Sequence, residues 1–280
     1  MPSPPSVHQR PTPRHNRALL ADDTARPTAI TIPLESPFQR PGTQVTVVLP
    51  KQPVRRVVLA LPVEQGDGHK YGHSLTEIGR LPADLLDGTV FAAPTFSASP
   101  WLVNHQTRPD SRQEDHLVRV VVPTVLAVLG EKTGPPVHLL GFSKGAFAAL
   151  NLLTRHPDLF AVASVWDPSL LSDRPPHPQL IDVAGSTTRL DEYDVRQNLR
   201  RHAQALRGAC RIALGGVGTL VADWIAGRQL LEALKIPHHA YRDAPADHRW
   251  DAAWLAPAMR HLLALEVRLH QGEGQDPPQG

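Results

Sequence analysis

The residues best suited to covalent chemistry lie in one pentapeptide, Gly141-Phe142-Ser143-Lys144-Gly145, with the apolar run Val137 to Leu140 before it and Ala146 to Leu150 after. That pattern places a hydroxyl at the junction of a buried strand and a helix. The glycines remove side chains where strand and helix meet at a sharp angle, which forces the serine into a strained backbone conformation at the sheet's carboxyl edge. Its hydroxyl then points into a crevice with a helix N-terminus behind it. The backbone N–H of Lys144 is aimed at a developing oxyanion, and the aligned peptide dipoles favour negative charge there. A tight turn whose serine merely caps the helix is the plainer alternative.

A serine alkoxide does not form unaided near neutral pH, so Ser143 requires a base, and the base requires an acid that fixes its tautomer. When the serine sits on such a turn, the order along the chain is serine, acid, histidine. His238 and His239 begin a strand-like run, and His261 on the last helix reads as a surface residue or helix-end partner. His248, in the loop Ala244-Pro-Ala-Asp-His-Arg-Trp250, has the freedom to reach across a sheet edge and is the expected base. The acid is expected from one of two loops: Asp223, after the seventh strand, is favoured, and Asp167, close to the end of the sixth, is the alternative. Either can instead be a cap or a turn residue. A second oxyanion amide is expected from the glycine-containing loop Pro62 to Gly68, and which amide serves is open. Phe96, Trp101 and Trp166 follow strand-like runs, where core packing is the first reading and lining of an acyl pocket the second. The side chain of Lys144 reads as exposed or salt-bridged.

The elements that would hold these groups alternate. AITIP and TQVTVVLP, separated by the turn signal PFQRPG, form an opening antiparallel pair. RRVVLALPV, TVFAAPTF, PVHLLGF, FAVASVW, CRIALGG and PHHAYRD read as further strands. Helix-like segments fall between them: His73 to Leu86, QEDHLVRVVVPTVLAVLG, SKGAFAALNLLTRH, VRQNLRRHAQALRG and ADWIAGRQLLEALK. Pro123 must bend the second of these or shift its start. HRWDAAWLAPAMRHLLALEVRL closes the chain, with Trp250, Trp254, Ala258 and Leu262 spaced along one face. Strands and helices in this alternation build an α/β domain with about eight strands in a mostly parallel sheet and helices on both faces.

Bulk properties narrow the function classes. The 280 residues carry 29 Lys plus Arg against 27 Asp plus Glu, so no global field gathers nucleic acid. No run is apolar enough for a membrane span, and the N-terminus lacks the apolar core of a secretory signal. The single cysteine, Cys210, excludes an intrachain disulfide and reads as a buried inert thiol; a reducing, cytoplasmic compartment is the expectation. Residues 1–26 and 271–280, rich in proline and polar residues, read as disordered ends flanking one domain over 27–270. There is no H-E-x-x-H pattern, and Gly215-Gly-Val-Gly218 lacks both a Walker lysine and dinucleotide spacing, so neither metal nor nucleotide cofactor is expected.

From Ala29 to Leu269 the chain resembles the α/β-hydrolase superfamily. The set APTFSASPW, QEDHLVRVVVP, GFSKGAFAALNLLTRHPDLF, WDPSLL and IPHHAYRDAPADHRWDAAWL is similar to a group of esterase-like proteins largely of unassigned substrate. More loosely it resembles the hydrolase-fold acetyltransferase subunits of bacterial accessory secretion systems. Their nucleophile and histidine fall on Ser143 and His248, and their acid after the seventh strand falls on Asp223. Members often show Gly-Phe-Ser-Lys-Ser-Gly, whereas here Gly145 follows Lys144 directly and restores the ordinary spacing. The resemblance implies an α/β-hydrolase fold and acyl chemistry on a small-molecule ester or acyl substrate, ending in hydrolysis or in transfer to another alcohol. The alternative from another class is an inactive hydrolase fold used for binding or assembly.

Overall fold

A computed structural model of the chain describes residues 28–130, 134–172, 175–216, 218–242 and 246–272. The expected disordered ends therefore lie outside the described residues, except that Gln271 closes the last helix and Gly272 caps it.

Eight strands form one sheet: β1 (Thr28–Pro33), β2 (Gln44–Leu49), β3 (Arg56–Ala60), β4 (Thr89–Pro94), β5 (Val137–Ser143), β6 (Phe160–Pro168), β7 (Ile212–Gly215) and β8 (His238–Tyr241). Their spatial order is β1-β2-β4-β3-β5-β6-β7-β8. The first two strands pair antiparallel, as their turn signal requires, and β2 lies antiparallel to β4; every other pairing is parallel. The central strands are apolar on both faces because both are covered. Val58, Leu140, Phe142, Val162 and Ala213 pack with the last helix on one face, while Leu59, Leu139, Ala163, Val165 and Leu214 face the core on the other.

On the first of those faces lie α1 (Ser74–Ile78), α2 (Ala83–Leu86) and the closing helix. The His73 to Leu86 segment is thus two short helices rather than one, broken where Pro82 precedes α2. Next come α3 (Gln113–His116), a π-helical turn (Leu117–Val121) and α4 (Val122–Val128), which replace the single bent helix expected here. Pro123 has no N–H for the carbonyl of Arg119, and the N–H of Val122 bonds five residues back to Leu117, so a widened turn absorbs the proline. Then follow α5 (Lys144–Arg155), α6 (Pro178–Ala184), α7 (Thr187–Asp191), α8 (Val195–Leu206), α9 (Val221–Ala233) and α10 (Ala252–Gln271).

Helix α10 is fixed at both ends. Asp251 caps its N-terminus by accepting from the amide of Ala253, and Trp250, Trp254, Ala258 and Leu262 are all buried on the expected face. Near its other end Glu266 accepts from Arg56 on β3 at 2.5 Å and lies 3.1 Å from the ring of His138 on β5. His261 is not a surface residue as expected but a half-buried ring packed on His239 and Tyr241, with centroids 4.3 and 4.0 Å away. No helix among the described residues is long and apolar enough to cross a membrane.

Candidate active site

The carboxyl ends of the parallel strands point to one edge of the sheet, and the chemistry-bearing residues gather there. At the end of β5 the chain turns into α5 within one residue, and Ser143 takes φ 53°, ψ −119°, a region sparsely populated by non-glycine residues. Its neighbours explain how that strain is held. A Cβ on Gly141 would sit 2.5 Å from the carbonyl carbon of Gly145, and a Cβ on Gly145 would sit 2.7 Å from the carbonyl oxygen of Leu61. Only glycine fits at either place. Lys144 is the first residue of α5, so its N–H has no carbonyl one turn back and stands at the helix's positive end.

One strand over, β6 carries an irregularity that sequence periodicity could not show. Phe142 pairs with Trp166, but Ser143 pairs with Pro168, so Asp167 is an extra residue bulged out of the ladder. Its φ of 45° is likewise positive. The bulge turns a fully buried carboxylate along the sheet edge, where Oδ1 accepts from the amide of Leu220 at 2.8 Å and Oδ2 lies 2.5 Å from Nδ1 of His248. The loop after β7 leaves room for that carboxylate: a Cβ on Gly218 would come 2.6 Å from Oδ2.

His248 is held edge-on by two aromatic rings, Phe142 at 5.3 Å and Tyr71 at 6.3 Å between centroids. Its loop is tied down on both sides of Trp250, whose amide donates to the carbonyl of Tyr71 at 2.7 Å, while the indole N–H of Trp254 donates to the carbonyl of Arg249. Gly72, at φ 79°, permits the close approach to Trp250, since a Cβ there would be 2.9 Å from its carbonyl oxygen. The ring's side chain is 23% exposed and its partner carboxylate 0%, so one side of the imidazole faces protein and the other faces open space. With Asp167 accepting from Nδ1–H, a neutral ring presents the lone pair of Nε2.

That open space is a cavity of about 370 Å³ lined by Ser143, Lys144, His248 and Ser169 together with Trp101, Leu170, Leu220, His177 and three prolines. Ser143 and His248, far apart in the chain, thus share one cavity. Asp223 is not the carboxylate on His248. Its side chain is fully buried and its Oδ1 accepts from the amides of Leu171 and Ser172 and from the Ser172 hydroxyl, at 2.7 to 2.8 Å. Of the two expected carboxylates it is thus Asp167, the alternative, that pairs with the imidazole, while the loop after β7 contributes an amide and space.

Of the glycine amides in the 62–68 loop, that of Gly66 donates to the carbonyl of Phe96 and that of Gly68 to the carbonyl of Gln65, so neither is available to an oxyanion. Phe96 packs against His116 and Trp166 stacks on Trp254, both in the core, whereas Trp101 lines the cavity. Lys144 is not exposed, and among the described residues it makes no salt bridge. It is half-buried, and its Nζ donates to Ser99 Oγ at 3.1 Å. Burial pushes its ammonium pKa down, and the charge of Glu64 partly restores it. Cys210 is half-buried rather than fully buried, and burial raises its thiol pKa. Sequence reading gave no site role to Leu220, Gly218, Tyr71 or Ser99, which come near these groups only through pairings distant in the chain.

No protein-family model matches the chain, and no curated protein matches it in sequence. Solved structures do match in shape. A ferulic acid esterase aligns over 86% of this chain and 99% of its own at TM-score 0.62 and 17% identity. FphF, a fluorophosphonate-binding serine hydrolase of Staphylococcus aureus, aligns over 86% and 99% at TM-score 0.63 and 16% identity. An S-formylglutathione hydrolase, FrmB, from the same organism aligns over 88% and 99% at TM-score 0.59 and 14% identity. The architecture is that of the α/β-hydrolases. Within that class the chain shares its fold with solved esterases and serine hydrolases.

Proposed function

We propose that the protein is a serine hydrolase that cleaves carboxylic esters or thioesters through Ser143, His248 and Asp167. The observation that carries this reading is the Asp167–His248 hydrogen bond at 2.5 Å, whose ring shares a cavity with a serine held at φ 53°. Similarity in fold to an esterase and to serine hydrolases supports it.

In this mechanism Ser143 Oγ attacks the substrate carbonyl carbon while its proton passes to Nε2 of His248. The carbonyl oxygen takes the negative charge and is stabilised by the Lys144 N–H at the α5 terminus. Asp167 holds the ring in the tautomer that bares Nε2 and stabilises the imidazolium that forms. Collapse breaks the bond to the alkoxide or thiolate, which takes the proton from His248, and leaves an acyl ester on Ser143. Water, deprotonated by the same imidazole, attacks that ester, releases the acid and restores the serine hydroxyl. An alcohol entering in place of water gives acyl transfer with the same groups.

The test is turnover of 4-nitrophenyl acetate. Ser143→Ala is expected to lower kcat/KM by about 10³-fold or more, and His248→Ala by about 10²-fold or more. Retention of most activity in Ser143→Ala places the nucleophile elsewhere.

A further inference from the structure

The cavity beside Ser143 is walled largely by Trp101, Leu170, Leu220 and the prolines 175, 176 and 178, yet a half-buried cationic residue, Lys144, is among those that line it. Lys144 Nζ has three N–H bonds and gives one to Ser99 Oγ at 3.1 Å. That hydroxyl lies 3.3 Å from Gln179 Oε1 and can donate onward to it. The ammonium also stands 5.5 Å from the centroid of the Trp101 indole. Among the described residues no carboxylate oxygen lies within ion-pair reach of Nζ; Glu64 acts on it only at longer range, and its Oε2 accepts from the amide of Tyr71. A cation withdrawn from water without a counter-ion is costly, and a ligand anion relieves that cost.

A second donor stands near the same indole. The ring of His177 lies 5.8 Å from that of Trp101, and its Nδ1 accepts from the amide of Gln179, so a neutral ring carries its proton on Nε2 as a donor. Two nitrogen donors thus stand near one indole in the lining of a cavity whose other walls are Leu170, Leu220 and three prolines besides Ser143, Ser169 and His248.

We propose that this cavity selects esters or thioesters that carry a carboxylate on a compact apolar or aryl body, the carboxylate held by Lys144 Nζ beside Trp101. The proposal rests on the serine hydrolase reading and adds its substrate class. The carboxylate belongs either to the acyl half or to the departing half of the substrate, and matched pairs separate the two. For the acyl half the pair is 4-nitrophenyl hemisuccinate against its methyl ester; for the departing half it is 4-acetoxybenzoate against 4-acetoxybenzamide.

The experiment measures kcat/KM for both pairs with the wild-type protein, Lys144→Met and Lys144→Glu. Each anionic-to-neutral ratio is taken within one preparation, so a smaller folded fraction cancels. In one pair the wild-type ratio is expected to exceed that of Lys144→Met by about tenfold or more, as a charge-assisted hydrogen bond requires, and Lys144→Glu is expected to favour the neutral ester. The pair that responds identifies the half bearing the anion. Ratios that stay the same across all three proteins, in both pairs, overturn the anion subsite while leaving the hydrolase intact. Absence of wild-type turnover on all four esters, together with no fluorophosphonate labelling of Ser143, overturns the hydrolase reading and this proposal with it.

Discussion

At the scale of single residues, two backbone distortions create the site. Ser143 at φ 53° and Asp167 at φ 45° lie at the ends of neighbouring strands, and each is a non-glycine residue in a conformation that costs of order 1–3 kcal/mol. The first was legible, because Gly141 and Gly145 announce a close approach of backbones. The second was not, since nothing in Val-Trp-Asp-Pro signals that one residue leaves the ladder, and Asp223 sits where the chain order suggests an acid. Gly218 offers a test at this scale. A methyl group there would lie 2.6 Å from Asp167 Oδ2 and must displace the carboxylate, so Gly218→Ala is expected to lower kcat on 4-nitrophenyl acetate by about 10²-fold. Wild-type turnover by a variant with an unchanged melting temperature contradicts the role given to Asp167.

Among the elements, the long ones were readable and the short or irregular ones were not. Helices α5, α8, α9 and α10 follow their apolar spacing, and α8 and α10 are also capped by Asp194 and Asp251, while α6 and α7 lie in a proline-rich stretch too short for periodicity to mark. The π-turn between α3 and α4 follows from Pro123, but its widening could not be distinguished from a bend. Helix α3 also carries a buried charge that ties elements together. Glu114 accepts from Arg155 and His156 at the end of α5 and from Tyr193 ahead of α8, at 2.5 to 3.0 Å. Burial alone would raise its pKa; the hydrogen bonds from His156, Arg155 and Tyr193 outweigh burial and hold it at about 2. On the same helix, burial pushes His116 down to about 4, and burial together with His239 and Arg260 does the same to His261 on α10. In all three the unfolded chain binds protons more readily than the native one, so stability is complete above the unfolded pKa and falls with pH. The midpoint of urea unfolding is therefore expected to decline below about 6.5 as the histidines are engaged, and more steeply below about 4.5 as Glu114 joins them. A midpoint that holds level from pH 7 to pH 3 contradicts this set of buried groups.

For the molecule as a whole, the sheet's order is what converts scattered residues into one site. The alternation of strands and helices, and with it the α/β architecture, was readable from local pattern; the order β1-β2-β4-β3-β5-β6-β7-β8 was not, because strand pairing is decided by contacts far apart in sequence. That order sets β5 beside β6 and β6 beside β7, so Ser143 and Asp167 come from adjacent strand ends, Leu220 from the loop after β7, and His248 is brought to them by the loop before α10. The imidazole that shares the cavity with Ser143 is oriented by the carboxylate of β6. The rate at which a fluorophosphonate probe labels Ser143 tests it in wild type, Asp167→Asn and Asp223→Asn. The expected result is a fall of about 10²-fold or more for Asp167→Asn, with Asp223→Asn within about tenfold of wild type. Equal rates in the two variants, or the larger loss in Asp223→Asn, would contradict it.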